Sequence, residues 1–182
     1  RLQRTARTGT AFWGGSVLAL TGGAHPAWGS ESIFGALDFA PSSATSGCYE
    51  STDWVTAPAP GLVVRTGTGL VIMDLDGDGH EQTGWVLLFM HIASKDRVEV
   101  GDFLGRDDRL GHPSCEGGRA TGTHVHIARK FNGEWIPIGG PLPFVLSGWT
   151  AYAGSAAYEG GMINQDGQEV KASVNADYRT LI

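Results

Sequence analysis

His124 and His126 stand on either side of Val125 in the segment THVHI. The segment predicts a β-strand, in which successive side chains point to opposite faces, so that the two imidazoles project together from one face. Two imidazoles held side by side on a rigid strand suit a metal ligand next to a general base. A chance pair of surface histidines is the alternative, and the spacing of the pair alone does not decide between the two.

Asp38 is a carboxylate within the apolar segment Ile33–Phe39. Such a group is costly to bury unless it is paired or coordinates a cation. An arginine or a backbone N–H would serve as its partner, and so would a metal ion. Upstream, His25 follows two glycines and an alanine and precedes Pro26, so it is expected in a turn with an extended backbone.

His25, Asp38 and His126 together supply two imidazoles and one carboxylate. This is a ligand set of catalytic zinc sites, in which the fourth position is left to water. His91 ends an apolar run, where a side chain can emerge from the core, although a hydrogen-bonded histidine at a strand end is the alternative. His91 and His124 would then remain to move protons and to stabilise developing charge.

The composition favours a folded protein and argues against several other classes. The 182 residues are 41% hydrophobic and carry a net charge of −6. This much apolar surface argues against intrinsic disorder, and the acidic balance argues against phosphate-driven binding of nucleic acid. No segment approaches the roughly 18–20 apolar residues of a membrane-spanning helix. The sequence begins at Arg1 without an apolar segment, so we expect any export signal to have been removed.

Glycines and apolar runs predict the elements that position these residues. The chain has 28 glycines, about twice the usual frequency of roughly 7%. Gly69–Asp74 and Trp85–His91 predict buried strands, and Asn132–Gly133 and Asp166–Gly167 predict hairpins. We therefore predict a mainly β fold, with an antiparallel β-sheet in a single domain, a groove between loops, and few or no helices.

The distribution of glycines and apolar residues along the chain predicts a main domain and a C-terminal extension. Residues 1–146 are expected to form the main domain, with an extended arm at 1–24 and a core at 25–146. In residues 147–182, glycines separate short apolar pieces. We expect a C-terminal β-hairpin extension there, packed on or next to the core.

The segments around the candidate residues resemble a known family. They are GGAH ending at His25, LDF around Asp38, FMH ending at His91, and TGTHVH with His124 and His126. They resemble the lysostaphin-type zinc metallopeptidases, which form peptidase family M23. The spacing is closest to the staphylolytic, or β-lytic, branch of that family, because Asp38 follows His25 by 13 positions.

The resemblance implies a site and an activity. One zinc ion per chain would be bound by His25, Asp38 and His126, and the catalytic residues would be His91 and His124. The implied activity is hydrolysis of peptide bonds in bacterial cell-wall peptidoglycan or in Gly-rich peptides, at Gly-containing bonds. The implied protein is a monomer that is secreted or faces the cell envelope. A non-catalytic binding module of the same fold and a zinc-dependent cell-wall amidase are the alternatives.

Cys48 and Cys115 are the two cysteines, and their number alone allows one disulfide or two free thiols. Because the resemblance implies export, we predict that they are joined and that the bridge ties two walls of the groove together. Ligation of zinc by thiolate is the alternative, but it would fill the position left to water. His112 is close to Cys115 in sequence, in a loop that we expect to line the same groove.

Asp74, Asp76 and Asp78 begin a D-x-D-x-D-G motif that resembles a Ca²⁺-binding loop. The twelfth position of such a loop needs a bidentate acid, and here that position is Trp85. We therefore predict a solvated loop between two strands rather than bound Ca²⁺.

Overall fold

An antiparallel β-sheet of eight strands forms the body of the protein. The structure is a computed structural model that describes residues 18–30, 32–41 and 45–174. In chain order, the first ten strands are β1 (Leu18–Pro26), β2 (Phe34–Pro41), β3 (Val55–Thr56), β4 (Gly61–Gly67), β5 (Leu70–Asp74), β6 (Trp85–Met90), β7 (Phe103–Leu104), β8 (Arg109–Gly111), β9 (Val125–Phe131) and β10 (Glu134–Trp135). The sheet has the order β1-β2-β9-β6-β5-β4-β7, β10 pairs with β9, and β3 pairs with β8 in a separate ribbon.

Apolar side chains cover both faces of this sheet at its centre. Along β5, Val71 and Met73 join the larger cluster on one face, while Leu70 and Ile72 join a smaller cluster on the other. A strand buried on both faces needs no alternation of apolar and polar residues. For this reason β5 and β6 are nearly continuous apolar runs in the sequence.

The predicted mainly antiparallel β fold is confirmed, since strands are the regular elements of the described ranges. Asn132 and Gly133 connect β9 to β10 with positive φ angles of 50° and 81°. Two successive positive φ angles suit a tight hairpin whose twist matches that of its strands. Within the described residues, no helix has the length and apolar character needed to cross a membrane.

A second sheet of four antiparallel strands lies in the C-terminal part of the chain. This C-terminal sheet consists of β11 (Val145–Leu146), β12 (Trp149–Ala153), β13 (Gly160–Ile163) and β14 (Glu169–Lys171). The predicted hairpin is therefore part of a larger sheet. Its β12–β13 loop is bonded to β1, because the N–H groups of Gly23 and Ala24 donate to the carbonyls of Tyr158 and Glu159, each at 3.0 Å.

The predicted arm at 1–24 is described only in part. Positions 1–17 lie outside the described residues, as do positions 175–182 of the predicted extension. Residues 18–24 belong to β1, an edge strand of the main sheet that also contacts the C-terminal sheet. The division of the chain after residue 146 stays a prediction.

Cys48 and Cys115 are joined by a disulfide, with their Cα atoms 5.8 Å apart. The predicted bridge is thus present, and both sulfur atoms are used by it. It connects the loop after β2 to the loop between β8 and β9. A backbone hydrogen bond of 3.0 Å from Thr123 N–H to the Gly47 carbonyl joins the same two loops. The two loops are therefore fixed relative to each other beside β9.

We predict that this disulfide contributes strongly to stability. Its sequence separation is 67 residues, and closing a loop of that length contributes about 4 kcal/mol in the chain-entropy model. The double substitution Cys48→Ser/Cys115→Ser should lower the free energy of unfolding in urea by about that amount. Titration of the denatured, unreduced wild-type protein should find no free thiol, and finding two would contradict the bridge.

Candidate metal centre

Three neighbouring strands bring the predicted metal ligands together. Asp38 on β2 lies directly opposite His126 on β9. On its other side Asp38 lies opposite Gly22 of β1, and β1 has register shifts both before and after Gly22. Such irregularities re-aim the side chains that follow. As a result, the His25 imidazole reaches the same place as the Asp38 carboxylate, although His25 itself pairs with Ala36.

Gly22 is needed because the Asp38 carboxylate lies against its backbone. A Cβ atom at this position would be 2.6 Å from Oδ2 and 2.9 Å from Cβ of Asp38. Any side chain here would displace the carboxylate, which is buried together with His25, the two being 9% and 3% exposed. The glycine thus fixes where the carboxylate can lie.

The three predicted ligand atoms converge within hydrogen-bonding distance of one another. Nε2 of His25 lies 2.9 Å from Nδ1 of His126 and 3.1 Å from Oδ1 of Asp38. Nδ1 of His126 lies 3.2 Å from the same carboxylate oxygen. Nε2 of His124 is farther from that oxygen, at 3.8 Å. His25, Asp38 and His126 therefore form the inner group, with His124 at its edge.

Backbone carbonyls fix the protons of the two inner imidazoles. Nδ1 of His25 lies 2.7 Å from the carbonyl oxygen of Gly23, and Nε2 of His126 lies 3.1 Å from that of Ala27. A carbonyl oxygen only accepts, so these ring nitrogens must carry the proton and donate. In a neutral imidazole the opposite nitrogen then has a free lone pair, and in both rings that nitrogen points into the cluster.

Backbone carbonyls also fix the proton on one ring nitrogen of His124 and of His91. Nδ1 of His124 lies 2.8 Å from the Gly122 carbonyl, and Nδ1 of His91 lies 3.0 Å from the Glu116 carbonyl. The two rings contact each other, with centroids 4.4 Å apart. Each presents its Nε2 away from its carbonyl partner, so each can accept a proton there.

The inner donor set fits a small tetrahedral cation. Its three inward atoms all accept hydrogen bonds once the outer nitrogens are protonated, so a shared cation or added protons must hold them together. Their separations of 2.9–3.2 Å are close to the edge of about 3.3 Å that a tetrahedron with zinc–nitrogen bonds of 2.0–2.1 Å would have. His25, Asp38 and His126 are therefore suited to zinc.

Burial and neighbouring groups set the charge of two cluster members. Burial raises the pKa of the Asp38 carboxyl, but His126 and His25, once a proton is added to their inward nitrogens, outweigh burial through hydrogen bonds and charge and hold the pKa well below its usual range. Asp38 is therefore an anion. Burial, together with the neighbouring His124, lowers the pKa of His91 to about 4, so this ring is neutral at pH 7.

His91 is held at its place by backbone contacts beyond the end of β6. Its φ angle is +64°, which is rare for a residue other than glycine. The carbonyl of His91 accepts hydrogen bonds from N–H and Oγ–H of Ser114, at 2.7 and 3.0 Å. These contacts maintain an unusual backbone conformation that turns the ring toward His124.

The cluster lies in a groove between loops. Two adjoining cavities, of about 1020 and 840 Å³, share Asp38, Gly118, Arg119, His124 and Tyr158. The second cavity is also lined by the remaining three histidines of the cluster. The structure thus brings all five predicted site residues to the lining of one groove, and their roles stay predictions.

Tyr158 is a groove residue that the sequence analysis did not single out. Its ring stacks on His25, with centroids 4.4 Å apart and planes at 16°. Its φ angle of +71° is unusual for a bulky residue, and its N–H donates to the Ala24 carbonyl at 2.9 Å. No local pattern in the sequence could have indicated it, because the contact joins the C-terminal sheet to β1.

Two other candidates lie outside the groove. The expectation that His112 lines the groove is wrong, since it borders neither cavity and its ring contacts that of Trp54, with centroids 3.9 Å apart and planes tilted by 42°. Asp74, Asp76 and Asp78 do lie together. The Asp74 carboxylate accepts hydrogen bonds from the N–H groups of Asp76 and Gly79, at 3.1 and 2.8 Å. These bonds give the buried Asp74 carboxylate hydrogen-bond partners, and the solvated loop stays a prediction.

The fold and the cluster define a β-sheet protein with a histidine–aspartate cluster in a groove, and a solved structure shares the fold. The M23 metalloprotease pseudoalterin, from the deep sea, superposes with a TM-score of 0.73 and 23% sequence identity, over 92% of this chain and 96% of that chain. The chain therefore has the fold of the M23 metallopeptidases, and the resemblance predicted from the sequence is confirmed.

Similarity in sequence is more limited. Protease LasA, from two strains of Pseudomonas aeruginosa, is 26% identical over 109 residues, which cover 55% of this chain and 25% of LasA. The chain thus matches about a quarter of the length of these relatives. It matches no family model.

We predict that Asp38→Ala lowers the zinc content of the purified protein to background, because it removes the only anion of the inner group. Metal analysis after dialysis measures this. His112→Ala is the matched control, since it removes a buried histidine outside the groove, and it should bind zinc as the wild type does. Full retention of zinc by Asp38→Ala would contradict the site.

We predict that Tyr158 holds the His25 ring in its binding orientation. Tyr158→Ala should weaken zinc binding by about tenfold, as is typical when a partner that orients a ligand is lost. Tyr158→Phe keeps the stacked ring and should bind zinc normally. Competition with a chelator measures both affinities, and equal affinities for Tyr158→Ala and the wild type would refute this role.

Proposed function

We propose that the protein is a zinc-dependent endopeptidase that hydrolyses peptide bonds of bacterial cell-wall peptidoglycan, at Gly-containing bonds. The observation that carries the proposal is the convergence of His25 Nε2, His126 Nδ1 and Asp38 Oδ1, whose separations do not exceed 3.2 Å. The shared fold with an M23 metalloprotease supports it. The preference for glycine rests on the family resemblance of the sequence motifs.

His25, Asp38 and His126 would hold the zinc ion. Zinc bound there would polarise a substrate carbonyl and lower the pKa of a water molecule toward 7. The protein keeps the two imidazoles in the required tautomer through the carbonyls of Gly23 and Ala27. The Asp38 carboxylate supplies one negative charge, so the bound metal would keep a net positive charge facing the substrate.

His91 and His124 would move protons. Both rings have their protons on Nδ1, bonded to carbonyl oxygens, and each therefore has Nε2 free as a base. One ring can take the proton of the attacking water, while the other stabilises the carbonyl oxygen as it gains charge or protonates the leaving amine. The contact between the two rings, and the position of His124 near Asp38, support this assignment.

We also propose that the protein is secreted or faces the cell envelope and acts as a monomer. The disulfide supports export, because such bonds persist in oxidising compartments. The open groove supports a polymeric substrate, since its two cavities adjoin at Asp38 and His124 and leave room for chain on both sides.

Metal analysis combined with digestion of pentaglycine and purified peptidoglycan tests the proposed function. We expect one zinc ion per chain and new amino termini of glycine or alanine. Release of lactyl groups would indicate an amidase instead. A zinc-loaded protein that releases neither product would indicate a non-catalytic binding module.

Single substitutions of His91, His124 and His126 separate the effect of proton transfer from the effect of metal binding. His124→Ala and His91→Ala should keep zinc and lose turnover by about 10²–10⁴-fold, as is typical when an acid–base group is removed. His126→Ala should lose zinc, and excess zinc should restore part of its activity. If His124→Ala loses zinc and His126→Ala keeps it, the two assigned roles are reversed.

A further inference from the structure

Arg119 occupies a distinctive position in the groove. It lines both cavities where they adjoin, together with Asp38 and His124. Among the described residues that line the two cavities, Arg119 is the only lysine or arginine, and Asp38 is the only carboxylate. A permanent positive charge is thus present next to the proposed reaction site, in a chain whose net charge is −6.

In the part of the protein that the structure describes, the guanidinium of Arg119 forms no hydrogen bond or ion pair, although its charge acts on the nearby Tyr158. Within residues 18–30, 32–41 and 45–174, the arginines and lysines that form ion pairs or hydrogen bonds are residues other than Arg119, such as Arg65, Arg97 and Lys130. The Asp38 carboxylate does not serve as a partner, because its Oδ1 faces the imidazoles of His25 and His126. Within the ranges that the structure describes, the N–H donors of Arg119 are therefore available for a ligand.

The loop that carries Arg119 is held at both ends. Cys115 is fixed by the disulfide, and the N–H of Thr123 donates to the Gly47 carbonyl at 3.0 Å. At the start of the loop, the Glu116 carboxylate accepts a hydrogen bond of 2.9 Å from the N–H of Ser94. The backbone that carries Arg119 is consequently positioned relative to the cluster, while its side chain reaches into the groove.

We propose that Arg119 binds a carboxylate of the peptide substrate, and that the site selects peptides with a free carboxylate close to the cleaved bond. The planar guanidinium matches a carboxylate with two parallel hydrogen bonds, and these charge-assisted bonds are stronger than those to neutral amides. The proposal rests on the proposed function and names its substrate class. A free C-terminus and an acidic side chain offer the same group, and the experiment separates them.

Matched peptides test this selectivity with the zinc-loaded protein. One pair is pentaglycine with a free C-terminus and its C-terminal amide. Two further pairs are amidated glycine peptides with glutamate or glutamine, placed on either side of the cleaved bond. For at least one pair, kcat/KM of the wild type should be about tenfold higher for the carboxylate member, as expected for a charge-assisted pair.

Arg119→Gln should bring the ratio of kcat/KM within that pair close to one. Lys95→Gln is the matched control, because it removes one positive charge from a loop that lines neither cavity, and it should keep the wild-type ratio. Zinc content and melting temperature of both variants show whether the site and the fold are intact. The peptide pairs are also titrated by calorimetry into the His124→Ala variant, where the Kd ratio reports the same selectivity without turnover.

The outcomes distinguish this proposal from the proposed function. Equal kcat/KM within every pair, or a preference that persists in Arg119→Gln, overturns the carboxylate proposal and leaves the peptidase proposal standing. A protein that binds carboxylate peptides more tightly through Arg119, yet cleaves no peptide or peptidoglycan, contradicts the proposed function alone.

Discussion

The buried carboxylate of Asp38, enclosed by an apolar sheet, is the interaction on which the rest of the site depends. An anion in this position is costly unless positive charge or donated protons surround it. His25 and His126 approach its Oδ1 at 3.1 and 3.2 Å, yet backbone carbonyls hold their protons on the outer nitrogens. Three lone pairs therefore meet at one point, and a cation satisfies all of them at once. The donor set therefore suits a metal better than an ordinary salt bridge.

The sheet supplies the precision of this arrangement, and the loops supply the groove. His25, Asp38 and His126 lie on three adjacent hydrogen-bonded strands, so their backbones cannot move independently. His124 and His91 stand just outside strand ends, where the backbone leaves the ladder and can present a ring to the groove. A cluster held on a rigid scaffold, with two further imidazoles at its edge, is the arrangement expected of a preorganised site.

The C-terminal sheet belongs to the site, because the loop between two of its strands contributes a ring that contacts His25. Its loop is bonded to β1 next to His25, and it places the ring of Tyr158 on the imidazole. The disulfide acts on the opposite wall, where it fixes the loop that carries Arg119. Both walls of the groove are thereby connected to the strands that carry the cluster.

The sequence by itself determined the buried strands β5 and β6, the shared face of His124 and His126, the hairpin at Asn132 and the need of Asp38 for a partner. These properties follow from periods of two residues and from local turn chemistry, which a short segment encodes alone. Only the tertiary structure decided that Asp38 lies opposite His126, that irregular pairing beside Gly22 admits His25, and that Tyr158 covers the imidazole. The tertiary structure also showed that His112 lies outside the groove, although it is close in sequence to the groove residue Cys115. Strand pairing joins residues far apart in the chain, and a local pattern specifies which face a residue uses but not which strand will lie beside it.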